Sequence, residues 1–230
     1  MSFAGIVGAA PRFLDVRFDA AGRPLPCPGN TVLAHLGDGP AARALSAARD
    51  RLRAAGGERV LAFLPAESCH MTLFDGLLHD VRRPDRWPSD LPLDAPADRA
   101  DAAMLAAFRG APAPGRFTLS PVRLAIGDAG LGLILQGADA AEESRLRAFR
   151  DDLAARTGLR HRPGHDSYVF HITLAYLIAP VDPAEAEALE TARRAAEAEI
   201  LASLGPLTLG PPEACLFTDM TAFRTQFRIA

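Results

Sequence analysis

Tyr168-Val169-Phe170-His171-Ile172-Thr173-Leu174-Ala175-Tyr176-Leu177 is an apolar run into which one histidine and one threonine are set two residues apart. It follows the helix-stopping Gly158 and reads as a strand. Side chains at i and i+2 of a strand share a face. Val169, His171, Thr173 and Ala175 are therefore expected together, against Phe170, Ile172, Leu174 and Tyr176. The larger apolar set belongs to a core, so the histidine and threonine look into a cleft or solvent. The same word recurs as His70-Met71-Thr72-Leu73 within a second strand-like run, Cys69 to Phe74. Here Ser68, His70 and Thr72 are expected on one face and Cys69, Met71 and Leu73 on the other. A single His-x-Thr is an ordinary half-exposed strand position. Two matching copies among six histidines point to duplication or to convergence on one chemistry.

Outward from these runs the chain offers strands and helices in mixed order. Asn30 to Leu36 reads as a strand, and Asp38-Gly39-Pro40 opens a helix with Leu45, Ala48 and Leu52 on one side, closed by Gly56-Gly57. Val60 to Leu64 is a short strand before Pro65. Asp75 to Ala97, rich in Pro, Asp and Arg, reads as a long surface excursion of the kind that serves as a lid. A helix near Asp98 to Arg109 precedes a hairpin of Arg116 to Ile126 and Gly130 to Gln136, joined by Gly127-Asp128-Ala129. Asp139 and Glu142 suggest a capping box for a helix bearing Leu146, Phe149 and Leu153. Asp182-Pro183-Ala184-Glu185 begins a helix reaching Leu204-Gly205, and Ala214 to Phe217 and Ala222 to Ile229 are further strands. There is no regular βαβ alternation and no Gly-rich phosphate loop, so an α+β fold with largely antiparallel sheets is expected.

Composition narrows the chemistry. The 230 residues, 49% of them hydrophobic, are enough for a substantial core. A net charge of −3 argues against a basic face for long nucleic acid but leaves room for a small nucleotide or a short oligonucleotide end. All 25 basic residues are arginine, which excludes Schiff-base chemistry, a Walker-type lysine and a lysyl-adenylate. Cys27, Cys69 and Cys215 form no metal or redox motif and are expected reduced and packed. The N-terminal residues lack a basic leader, and no stretch approaches a membrane span. A soluble, cytoplasmic monomer with no membrane partner is expected.

Two imidazoles across a cleft make an acid–base pair near neutral pH, one taking a proton from water or a ribose hydroxyl, the other giving one to the leaving oxygen. Each threonine hydroxyl, two residues on, can donate to a non-bridging phosphoryl oxygen. The paired His-apolar-Thr-apolar words, with Pro28-Gly29-Asn30-Thr31-Val32, Leu64 to Thr72 and Tyr168 to Ile178, resemble the two-histidine (2H) phosphoesterase superfamily. More closely they resemble a branch of it described as a domain of unknown function. The superfamily includes 2′-5′ RNA ligase-like proteins and cyclic nucleotide phosphodiesterases. The resemblance implies a bilobal fold over residues 1–230, two mainly antiparallel sheets in pseudo-twofold symmetry around a central cleft, lobes interleaved in sequence and helices on the outer faces. It implies metal- and cofactor-independent chemistry on 2′,3′-cyclic or 2′-5′ linked nucleotides or RNA ends. His70 and His171 would be the catalytic pair, with Thr72 and Thr173 holding phosphate.

Upstream of the second motif, Arg160-His161-Arg162-Pro163-Gly164-His165-Asp166-Ser167-Tyr168 is dense in polar groups. Arg160, His165 and Tyr168 are candidate substrate contacts. Tyr168 has the wrong parity for the His171 face and needs a bulge or a position before the strand. His161, His165 and Asp166 suggest an alternative, a metal-dependent hydrolase, although Pro163-Gly164 opposes helical chelation. A non-catalytic nucleotide-binding module is a further alternative. His35 and His79 carry no motif and are assigned to structure or surface, and Trp87 is assigned to anchoring its loop more readily than to stacking on a base.

Overall fold

The apolar runs all join one sheet. A computed structural model describes residues 2–230. Its strands are β1 (Gly29–His35), β2 (Leu61–Phe63), β3 (His70–Leu78), β4 (Phe117–Gly127), β5 (Gly130–Gly137), β6 (His171–Leu177), β7 (Leu207–Leu209), β8 (Glu213–Asp219) and β9 (Ala222–Arg228). They lie in the order β7-β4-β5-β6-β3-β1-β8-β9, with β2 beside the far end of β6, and every pairing is antiparallel. The helices are α1 (Pro40–Ala54), α2 (Ala97–Arg109), α3 (Ala140–Arg156) and α4 (Pro183–Ser203). Leu45 and Leu52 of α1, Phe108 of α2, Leu146 and Leu153 of α3, and Leu189 and Ile200 of α4 share one buried core with Met71, Leu73, Ile172 and Leu174. That core is the face opposite the histidines, as the alternation requires.

The strand order is symmetric about the β6/β3 junction, with β5 and β1 next outward, then β4 and β8, then β7 and β9. The same offset in residue number separates His70 from His171, Leu73 from Leu174 and Arg49 from Arg150. The α+β, bilobal expectation holds, and the two four-stranded halves, with β2 added beside β6, meet at a seam that makes them a single sheet. β8 and β9, which follow all the other strands in sequence, complete the half that contains β1 and β3. No helix among the described residues is long and apolar enough to cross a membrane.

Several boundaries differ from the sequence reading for physical reasons. β3 does not stop at Phe74 but runs to Leu78, through Asp75 and Gly76. A Cβ on Gly76 would lie 2.1 Å from Oδ1 of Asn30, so glycine here serves close strand approach and not a turn. Asn30 is buried, accepting from the Leu77 N–H at 3.0 Å and donating to Asp101 at 2.7 Å. The excursion therefore begins only at His79. It is pinned by Trp87, 1% exposed, whose Nε1 donates to the Pro92 carbonyl at 3.0 Å with the Arg82 guanidinium over its ring. Trp87 is thus an anchor with no face left for a base. The box at α3 forms by half: Asp139 accepts from the Glu142 N–H at 2.8 Å, while the Glu142 carboxylate reaches the Thr118 N–H. At α4 both halves form.

Residues 2–28 carry no periodic signal: Phe3 and Ile6 pack into the main core, and from Arg12 to Cys27 the chain makes a ribbon over the histidine side of the sheet. After a short 3-10 turn at Phe3–Ile6, the Arg12 N–H donates to Asp128 in the β4–β5 turn at 2.9 Å. At the other end the Cys27 N–H donates to Thr218 in β8 at 2.8 Å. Phe18 and Cys27 pack on Ala62, Leu64, Tyr176, Ile178 and Met220 as a second, smaller core. All three cysteines are free and buried.

Candidate active site

The seam is where the motifs meet. β3 and β6 pair through Met71 and Ile172, the middle residue of each His-x-Thr. Continuing that antiparallel register sets His70 across from Thr173 and Thr72 across from His171, all four on one face. All four are half-buried, alternating with buried Met71, Leu73, Ile172 and Leu174. Nδ1 of His70 lies 2.7 Å from the Ser68 carbonyl, and Nδ1 of His171 lies 2.8 Å from the Val169 carbonyl. A carbonyl only accepts, so each Nδ1 carries a proton and Nε2 is the ring nitrogen left to exchange one. Ser68 does not share the strand face with His70 as the alternation suggests. It sits in a 3-10 turn, Ala66–Ser68, that delivers this carbonyl.

Both motifs carry a β-bulge at the same place. On β3, Thr72 pairs with Leu33 and Phe74 with Val32, so Leu73 is passed over. On β6, Thr173 pairs with Gly132 and Ala175 with Leu131, so Leu174 is passed over. An extra residue reverses the alternation beyond it. This turns Asp75 and Tyr176 to the histidine side, which corrects the expectation that Ala175 and not Tyr176 faces with His171. Tyr176 accordingly belongs to the small core under the N-terminal ribbon. The bulges also expose carbonyls: that of Leu73 accepts from the buried Arg150 of α3, and that of Leu174 accepts from the Leu64 N–H at 2.9 Å.

Around this symmetric frame the environments diverge. The Phe223 ring packs on His70 at 4.2 Å, and the His35 ring lies 6.3 Å away on the paired strand. Burial pushes the His70 imidazole down to about 4. The Ser68 carbonyl opposes this, and the charges of His35 and His171 add to it. His35, assigned from sequence to structure or surface, is thus a neighbour of the pair, held by Glu213 at 3.1 Å. Its proximity depends on the β1–β3 register, which no residue of β1 announces. Tyr168 precedes β6, with its ring 6.2 Å from His171 and the Arg150 guanidinium 3.7 Å from its centroid. Its hydroxyl lies near Thr72, and burial raises the phenol so that it stays a neutral donor.

The remaining candidates are turned elsewhere. Arg160 and His165 both meet Asp151, at 3.0 and 2.8 Å, and His165 is buried near Phe74. These bonds, His165 foremost, hold the Asp151 carboxyl below its usual range. Nε2 of His161 meets the Pro84 carbonyl at 2.9 Å. The donor group close enough to share an ion is therefore Asp151, His165 and Asp166, without His161. Arg162 clamps the carbonyls of Asp75 and Gly76.

A crystal structure of a conserved protein of unknown function, ATU0111 from Agrobacterium tumefaciens str. C58, superposes with a TM-score of 0.88 at 31% identity, covering 96% of this chain and 94% of that one. Residues 17–128 match the family 2H-phosphodiest, described as a domain of unknown function (DUF1868). The chain belongs to the 2H-phosphodiest family. The matched span contains His70-Met71-Thr72, and the second motif lies beyond it. TT0787 of Thermus thermophilus aligns more loosely, with a TM-score of 0.43 at 18% identity over 86% of this chain and 95% of that one. None of the curated proteins matches the sequence. Membership of the 2H-phosphodiest family supports a phosphoesterase activity in general.

Proposed function

We propose that this protein hydrolyses the phosphodiester of a small nucleotide or RNA end, 2′,3′-cyclic or 2′-5′ linked, with His70 and His171 as its acid–base pair and without a metal ion. The observation that carries this reading is the Met71–Ile172 pairing, which sets two imidazoles on one face, each with Nδ1 tied to a carbonyl and with no partner for Nε2 among the described residues. His70, kept neutral by its surroundings, is the base. Its Nε2 takes a proton from water as the water oxygen bonds phosphorus, and protonated His171 gives a proton to the departing ribose oxygen, leaving a phosphomonoester. Thr72, Thr173 and the neutral Tyr168 hydroxyl donate to the phosphoryl oxygens as charge builds.

Turnover of 2′,3′-cyclic nucleotides and 2′-5′ dinucleotides by purified protein in chelator tests it. His70→Ala and His171→Ala are each expected to lower kcat by roughly 10²- to 10⁴-fold. Activity indifferent to both variants sinks the proposal. Activity lost to chelator and restored by a divalent ion transfers the chemistry to a metal, with Asp151, His165 and Asp166 as first suspects. Binding without product makes the protein a nucleotide-binding module.

A further inference from the structure

Tyr168 and Tyr176 stand at opposite ends of β6, and the second of them is met by a cation from outside the sheet. An N–H of Arg17, on the N-terminal ribbon, donates to the Tyr176 hydroxyl at 3.0 Å, and its guanidinium lies 3.9 Å from the centroid of Phe13. Phe18 stacks on the Tyr176 ring, centroids 5.0 Å apart, so the hydroxyl and the guanidinium are held from both sides. Arg17 is half-buried and makes no ion pair among the described residues. Tyr176 is only 8% exposed, and its hydroxyl accepts the Arg17 bond while no protein atom among the described residues accepts its own proton. A partly buried guanidinium without a counter-ion among the described residues, beside an O–H free to donate, is matched to an anion, which can accept from both.

We infer that Arg17 and Tyr176 form a second anion point on the histidine side of the sheet, which takes a further phosphate of the same ligand whose scissile phosphodiester lies between His70 and His171. The substrate class is then an oligonucleotide end or a nucleoside 2′,3′-cyclic phosphate that also carries a 5′-phosphate, in preference to a bare cyclic mononucleotide. The inference rests on the proposed role of the histidine pair. The bulge at Leu174 makes it geometrically available, because without that extra residue Tyr176 would point into the main core. If Arg17 instead only pins the ribbon to β6, its loss lowers stability and affects all ligands alike.

Calorimetric titration with product-type ligands separates these roles: adenosine 3′-monophosphate, adenosine 3′,5′-bisphosphate, and a 5′-phosphorylated dinucleotide ending in a 3′-phosphate. The native protein is expected to bind at least one of the two longer ligands about tenfold or more tighter than the monophosphate, since a charge-assisted bond contributes on that order. Arg17→Ala abolishes that ratio, Arg17→Lys keeps part of it, and Tyr176→Phe lowers it. No gain in the native protein, or the same gain in Arg17→Ala, overturns the inference. Should Arg17→Ala not fold, the ratios in Arg17→Lys and Tyr176→Phe decide. Monophosphate binding that His171→Ala weakens, with no gain from added phosphates, removes only the second anion point. If none of the ligands binds, the reading of the histidine pair falls with it.

Discussion

A phenyl ring and a second imidazole flank His70, whereas the phenol of Tyr168 lies beside His171. The proposed assignment of base and acid rests on this difference, since the two motifs, being nearly identical, leave the roles interchangeable. His70 has a folded-state value of about 4, below the roughly 6.5 of an unfolded chain. Between those values the unfolded state binds the extra proton, so its contribution to stability is complete above pH ~6.5 and lost as pH falls toward 4. Thermal melts from pH 7 to 4.5 should therefore decline, and His70→Asn should flatten part of the decline. An unchanged slope would refute that origin. Tyr168→Phe, which removes a donor but keeps the ring under Arg150, should lower kcat about tenfold while changing KM less. At this scale the alternation of His and Thr was legible because a strand has period two. Asp75, Tyr176 and His35 were not, since their positions depend on bulges and on which strand pairs with which.

The bulges at Leu73 and Leu174 are element-scale devices, and glycines next to them allow the strands to approach. Gly130 has φ of +139°, and a Cβ there would lie 2.1 Å from the Ala175 carbonyl oxygen, one residue past the second bulge. Gly130→Ala combines a left-handed backbone with a backbone clash and should cost about 3 kcal/mol or more in urea unfolding. A cost below about 1 kcal/mol would mean that β5 and β6 can shift register. The helices were readable from caps and apolar faces, down to Asp139 and Asp182. β7, three residues long, and the N-terminal ribbon were not, because neither has room for a period to repeat.

At the scale of the molecule, two four-stranded halves meet through Met71 and Ile172, both fully buried. Ile172→Ala should cost about 2–5 kcal/mol. If the seam orients the imidazoles, its kcat should also fall at temperatures where the fold persists, whereas full activity in a folded variant would assign orientation to the flanking carbonyls. The half around His70 depends on β8 and β9, which bring Glu213 to His35 and Phe223 to His70. During synthesis those strands emerge after every other strand of the sheet. A nascent chain carries the neighbours of His171 long before those of His70, so the proposed centre, if it acts on RNA, would be incomplete beside its own messenger until β9 has been made.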